Sequence, residues 1–239
     1  RFDVMCGRFA LPIAFSELAA LLRGMVDLAV ADPSPEEAGR FRPSWNVAPR
    51  ALVPGLVADG PGRAVLRIFR WGLVPRWASD PSIGDRLINA RGDTIATKPS
   101  FRDAWKRRRC LVPVTAFFEW RAEGGRKRPW AFGSAEPGRP LLLGGIHERW
   151  TGPDGAELAT VALVTTGPNA LVAPVHDRMP VVVAPADAAR WLGIGNAAAA
   201  PPSGLLAPSD PASMRAWPVS NRVSDARNDG PECLAPDGG

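Results

Sequence analysis

Lysine, histidine and cysteine are scarce in this 239-residue chain, and each shortage excludes something. The three cysteines, at 6, 110 and 233, are an odd and scattered set that makes no disulfide framework. A reducing, intracellular compartment is therefore expected. The two histidines have no Cys or His partner at ligand spacing, so no metal site and no cofactor are expected. No glycine-rich segment fits the spacing of a P-loop or a dinucleotide fingerprint. No apolar run approaches the ~18 residues that span a bilayer, and residues 1–8 lack the apolar core of a secretory signal. A membrane is not an expected partner.

The lysine shortage shifts the cationic charge onto one side chain. Only Lys98, Lys106 and Lys127 are lysines, so 26 of the 29 basic residues are arginines, set against 24 acidic residues for a net charge of +5. That composition permits a phosphate-binding surface, and it follows equally from a GC-rich genome. With 46% hydrophobic and 22% charged residues, 24 Gly and 26 Pro, the chain reads as an ordinary globular protein. Its length fits one to two domains, and a β-rich chain of this size favours one.

Strand-like runs dominate the pattern, at 51–57, 64–71, 110–120, 141–146, 159–165 and 181–184, each bounded by Gly, Pro or Asp. Leu18, Leu21, Leu22 and Met25 recur at helical spacing, predicting a helix over 16–25. Ser100 and Asp103 resemble a capping box opening a helix over 101–109, and Pro185 opens a short helix that Gly193 ends. Helices and strands do not alternate, which argues against a doubly wound parallel sheet. The expected fold is α+β, with a β-rich core and peripheral helices. Residues 194–213 read as a loose surface connection and 228–239 as turn and coil.

Four segments carry candidate chemistry. Cys6 follows Met5; if translation starts there and the methionine is removed, Cys6 becomes the N-terminal residue. It then bears an α-amine (pKa about 7.7–8.0) and a thiol (about 8.5) on adjacent carbons. Such a 1,2-aminothiol captures an aldehyde as a Schiff base and closes a five-membered thiazolidine. The other reading is a cysteine that happens to sit near a chain end. Glu119 ends an apolar strand and alternates onto the face of Phe117. Desolvation there suits proton transfer near neutral pH, unless the side chain points into water. His176 lies between Pro174 and Pro180, as a proton carrier or as a loop histidine bonded to Asp177. In Asn89-Ala90-Arg91 an amide orients a reacting group and a guanidinium forks onto phosphate, or the tripeptide is an ordinary turn. Trp71 and Trp77 flank arginine-containing sequence that either stacks on bases or packs on the protein itself. Lys106 to Arg109 reads as a solvated helix end, Cys110 as a buried strand residue and His147 as a structural histidine.

Taken in order, Met5-Cys6-Gly7-Arg8-Phe9, Trp45-Asn46-Val47-Ala48-Pro49, Trp71-Gly72-Leu73-Val74-Pro75, Asn89-Ala90-Arg91, Cys110-Leu111-Val112-Pro113, Phe117-Phe118-Glu119-Trp120, His176-Asp177-Arg178-Met179-Pro180 and Pro218-Val219-Ser220 resemble the SOS response-associated peptidase (SRAP) family. The resemblance implies one β-rich domain over 5–235 with a basic groove. It also implies binding of abasic sites in single-stranded DNA and a covalent crosslink through Cys6. On the same basis Asn89 positions the sugar, Glu119 is the acid/base and His176 assists proton transfer. Arg8, Arg76, Trp77, Arg91 and Arg178 are the implied DNA contacts. A monomer in the cytoplasm, associated with the nucleoid, is expected. The chain departs from the family pattern at Asp93 (usually Glu), Ala116 (usually Gly) and His147 (usually Trp). Arg1–Val4 also make Cys6 internal, so either the start is misassigned, or these residues are removed, or the thiazolidine cannot form. Thiol (auto)peptidase and DNA lyase-like activity are implied alongside the crosslink, and the alternatives are a cysteine-type autopeptidase or a non-covalent reader of damaged or modified DNA.

Overall fold

The computed structural model describes residues 6–32, 34–195 and 200–237. Met5, the residues before it and residues 196–199 of the expected surface connection lie outside this set. The strands are β1 (Phe9–Leu11), β2 (Ala29–Ala31), β3 (Ser44–Val47), β4 (Leu52–Ala58), β5 (Arg63–Trp71), β6 (Asn89–Arg91), β7 (Arg109–Val114), β8 (Ala116–Glu123), β9 (Arg126–Ser134), β10 (Leu141–Thr151), β11 (Glu157–Thr166), β12 (Met179–Pro180) and β13 (Met214–Pro218). The helices are α1 (Phe15–Met25), α2 (Pro35–Arg40), α3 (Arg102–Arg107) and α4 (Ala188–Leu192).

Two sheets carry the fold. The larger runs β12-β11-β10-β7-β4-β5-β2, and β11 also pairs in parallel with β5 through Thr160↔Arg70 and Val161↔Trp71. That pairing closes β5-β4-β7-β10-β11 into a barrel and leaves no open edge within it. The smaller sheet runs β13-β9-β8-β1-β3. The fold is thus α+β and strand-rich, with short helices at the periphery.

The interior follows the pattern of the strands. Trp71, Trp105, Trp191, Phe9, Phe101, Phe117 and Phe132 are fully buried. Successive β8 residues face opposite ways: Phe117 joins the main core, whereas Phe118 joins a second cluster with Ala10, Ala131, Val219 and Val223. Gly144 in β10 lets the Trp191 ring lie flat on the strand, since a Cβ there would meet ring carbons at 2.5 Å. The β8–β9 hairpin turns on Gly124 and Gly125, both at positive φ (+54° and +79°), as a tight two-residue connection requires.

Several expectations need correction. The apolar run 110–120 is two strands: at Thr115, whose N–H donates to Ala10 O (2.8 Å), the chain leaves the barrel for the smaller sheet. The capping box does not form. Helix α3 starts at Arg102 behind Phe101, whose side chain has no acceptor to offer, and the Lys98 carbonyl instead accepts from the N–H groups of Phe101 and Arg102 (both 2.9 Å). Strand pairing near 181–184 reduces to Met179–Pro180 plus a bridge from Leu143 to Val182. Arg109 is no solvated helix end. It is buried, donating to Trp105 O and Lys106 O at the end of α3 (both 2.9 Å) and to Trp191 O in α4 (2.6 Å). A buried guanidinium is tolerable there because helix-end carbonyls need donors.

Candidate active site

The smaller sheet delivers Cys6 to Glu119. Strand β1 pairs antiparallel with β8 (Phe9↔Phe117), and the Phe118 N–H donates to Arg8 O at 3.0 Å. Three residues before Phe9 and two residues beyond Phe117 along β8, the start of the described chain lies beside Glu119. There the Cys6 N–H donates to Glu119 Oε1 at 2.6 Å. Both residues are almost fully buried (1% and 2% exposed), so this is a charge-assisted contact shielded from water. Cys6 adopts φ +38°, a left-handed conformation that costs a non-glycine residue free energy. Burial first, and the Glu119 carboxylate second, push the Cys6 thiol well above its usual range.

The barrel supplies the other two groups, both from the edges of β11. On one edge β6 pairs in parallel (Leu163↔Asn89), and the Asn89 Nδ2 group reaches the Cys6 carbonyl at 3.5 Å. The segment after β11 turns on Asn169, whose Oδ1 accepts from the N–H groups of Leu171 (3.1 Å) and Val172 (3.0 Å). The His176 N–H then donates to Val172 O at 3.0 Å, which fixes the histidine backbone. The Arg178 N–H donates to His176 Nδ1 at 3.1 Å, so in the neutral ring the proton resides on Nε2. That Nε2 lies 3.9 Å from Glu119 Oε2, a gap too long for a direct hydrogen bond and wide enough for one bridging atom. Asp177 also approaches Nδ1 (3.1 Å) but is 88% exposed.

Of the residues singled out in the sequence, Cys6, Asn89, Glu119 and His176 thus meet in one cluster. Arg91 and Arg178 stand beside it, both bound to Asp93. Arg8 is a half-buried strut: its Nη1 donates to Asn46 Oδ1 (2.9 Å) and Val223 O (2.8 Å), and burial lowers its pKa. Arg76 and Trp77 sit apart from the cluster. Arg76 binds Glu148 in β10 (3.0 Å), and Trp77 is 62% exposed. Glu148 faces Thr160 in β11, five residues from the Thr165 that Arg178 binds, or about 16 Å of strand. His147 packs its ring on Phe69 (5.1 Å), and burial lowers its pKa to about 4.

Three supporting residues were not singled out in their own right. Asn46 Nδ2 donates to the carbonyls of Asp225 (3.0 Å) and Asn228 (2.8 Å), tying the C-terminal segment to β3; it falls inside one of the quoted motifs. Thr165, fully buried, accepts from Arg178 Nη2 through its carbonyl (3.0 Å) and its hydroxyl (3.2 Å). Asn169 builds the turn under His176. Local sequence marks neither Thr165 nor Asn169, because their partners come from distant segments or from the backbone.

A cavity of about 370 Å³ lies elsewhere, lined by Met25, Leu142, Val183, Pro185 and Leu205 among others, and none of the four clustered residues borders it. Among the described residues no group of three His, Cys, Asp or Glu side chains has metal-holding geometry, and no helix is long and apolar enough to cross a membrane.

Residues 5–226 match the family model described as "SOS response associated peptidase (SRAP)". The chain is 36% identical over 231 residues to the abasic site processing protein YoqW of Bacillus subtilis, covering 96% of this chain and 99% of that one. It is 32% identical over 267 residues to the abasic site processing protein HMCES of Gallus gallus, covering 97% and 78%. Among solved structures, a protein from Bacteroides thetaiotaomicron superposes with a TM-score of 0.80 at 26% identity, covering 97% of this chain and all of that one.

Proposed function

This chain belongs to the SOS response associated peptidase (SRAP) family, and from that premise we propose that it processes abasic sites by trapping them in single-stranded DNA as a thiazolidine on Cys6. One SRAP domain over residues 5–235 carries the activity. The observation that supports this most is the 2.6 Å contact between the Cys6 nitrogen and the buried Glu119 carboxylate. A carboxylate held on the nitrogen suits chemistry that begins at an amine.

The steps balance without an added oxidant or metal. With Cys6 as first residue, its neutral amine adds to the open-chain C1′ aldehyde of the abasic deoxyribose. The amine's two protons pass in turn through Glu119 to the former aldehyde oxygen, the first making the carbinolamine hydroxyl and the second releasing it as water, so that an imine forms. The Cys6 S–H then adds across the C=N bond, sulfur to carbon and proton to nitrogen, closing the five-membered ring. The intramolecular closure needs little free thiolate, because the reacting atoms are already adjacent. Asn89 holds the Cys6 carbonyl, and the Nε2 proton of His176 serves the sugar oxygen across from Glu119. The raised thiol pKa disfavours the competing cysteine-peptidase reading, which depends on a standing thiolate.

The test uses two proteins, one starting at Cys6 and one retaining residues 1–5, each verified by intact mass. With an abasic single-stranded oligonucleotide, the first should form an adduct that survives denaturing electrophoresis, and Cys6→Ala should abolish it while leaving non-covalent binding intact. The extended protein has an amide nitrogen at Cys6 and should bind without a stable adduct. A stable adduct of the extended form with its N-terminus intact excludes the thiazolidine. Binding without an adduct by the form starting at Cys6 leaves a non-covalent reader.

A further inference from the structure

Arg91 and Arg178 come from segments almost ninety residues apart, yet both guanidiniums converge on one carboxylate. Asp93 binds Arg91 side-on, with Oδ1 3.3 Å from Nε and Oδ2 3.0 Å from Nη2. The same Oδ2 lies 3.5 Å from Arg178 Nη1. Arg178 is only 12% exposed, and its Nη2 is fixed by the Thr165 carbonyl and hydroxyl. The Asp93 backbone is equally fixed. Gly92 N–H donates to Thr165 O at 2.8 Å, and Thr94 N–H closes a turn onto Arg91 O at 3.1 Å. A Cβ on Gly92 would crowd that Thr165 carbonyl at 3.1 Å, so the turn sits tight against β11.

We infer that Asp93 is a built-in stand-in for a DNA phosphate, occupying the fork of Arg91 and the free edge of Arg178 until a strand displaces it. The inference rests on the DNA-binding reading above and adds to it the place where a phosphate sits. Two non-bridging phosphodiester oxygens can take the side-on contacts that the two carboxylate oxygens now make. The phosphate is also the better partner for Arg178, whose Nε is buried without a hydrogen-bond partner and which receives only one long contact from Asp93. Displacement is cheap because Asp93 and Arg91 are each about half exposed (50% and 55%), where ion pairs contribute little. The released carboxylate can swing into water. Asp93 thereby sets a threshold: strands that engage both arginines pass it, and isolated anions with one contact do not.

The test is Asp93→Asn, read as the affinity for an intact single-stranded oligonucleotide across a salt series, in the wild-type and Arg91→Ala backgrounds. If Asp93 competes with phosphate, Asp93→Asn tightens binding by about two- to fivefold at low salt, and most of that gain vanishes in the Arg91→Ala background. Weaker binding by Asp93→Asn would mean that the carboxylate orients the arginines for DNA, and overturns the inference. An equal gain in both backgrounds would mean a long-range charge effect, and overturns it too. If Arg91→Ala weakens binding while Asp93→Asn changes nothing, the stand-in is wrong and the DNA reading survives. Failure of the wild type to bind any strand defeats both.

Discussion

Glu119→Gln isolates the proton-transfer step. The substitution keeps an oxygen at Oε1 that still accepts from the Cys6 nitrogen now 2.6 Å away, and it keeps the side-chain volume in a site only 2% exposed. What it removes is the base that takes the amine proton and the acid that returns it. Loss of a positioned general acid/base costs about 10²–10⁴ in rate, or roughly 3–5.5 kcal/mol of barrier. The expected result, in protein starting at Cys6, is an adduct that forms 10²- to 10⁴-fold more slowly by these estimates. Affinity for single-stranded DNA should not fall, since the lost charge is negative and a negative charge does not attract phosphate. A second readout follows from the electrostatics. The Glu119 charge helps hold the Cys6 thiol up, so the pH midpoint of thiol alkylation should move down in the variant. Crosslinking and binding are measured separately, by timed denaturing electrophoresis and by fluorescence anisotropy, with a thermal melt to check the fold. A wild-type crosslinking rate in a folded Glu119→Gln protein refutes the assigned role.

Trp77→Ala should weaken single-stranded DNA binding by about 1–3 kcal/mol per stacked base without lowering Tm, because the ring is 62% exposed and contributes little to the core; unchanged anisotropy titrations would remove Trp77 from the DNA surface. His147 predicts a pH effect on stability: burial, then Arg108 and Arg149, lower its pKa from 6.5 to about 4. The unfolded ring takes up a proton near pH 6.5 that the folded ring refuses until about pH 4, so this contribution is complete above 6.5 and is lost as pH falls toward 4, by about 3 kcal/mol at most. His147→Gln should flatten that part of the pH profile in urea melts, and an equally steep decline in the variant would refute it.

The barrel was legible where burial on one strand is uniform and turn residues bound it. The runs at 51–57, 64–71, 141–146 and 159–165 are β4, β5, β10 and β11, and the spacing of Leu18, Leu22 and Met25 is α1. The misses have physical causes. Nothing local separates β7 from β8, because the run stays apolar on both sides of Thr115 while the chain changes sheets; the divide is set by a hydrogen bond to Ala10, more than a hundred residues earlier. Strand β9 is absent from the strand-like runs: it opens with Arg126, Lys127, Arg128 and Pro129, which carry no apolar alternation, yet the Gly124–Gly125 turn and the register Phe117↔Phe132 draw them into the sheet. Arg109 looked solvated because a cation after a helix usually is; only the end of α4, packed across the strand, gives that guanidinium a buried third carbonyl.

The candidate cluster depended on a different kind of information. Cys6 and Glu119 are 113 positions apart, and Asn89 and Cys6 are 83 apart; no local pattern links them, and each alone had an ordinary structural explanation. The ordered motifs of the family resemblance nominated them together, and the β1–β8 and β6–β11 pairings bring them within reach of one another. Motif matching assigned Arg8, Arg91 and Arg178 the same task, however, and their partners separate them. Arg8 gives Nη1 to an amide oxygen and a carbonyl that hold the C-terminal segment on β3, and those neutral acceptors bind it as part of the fold. A phosphate contact there must use its other terminal nitrogen. Arg91 is held instead by a carboxylate on a surface turn, an anion that another anion can replace. Arg178 combines the two cases, with Nη2 on the neutral Thr165 acceptors and Nη1 3.5 Å from that same carboxylate. The type of acceptor, rather than the presence of an arginine, therefore separates the strut at Arg8 from the replaceable ion pair at Arg91.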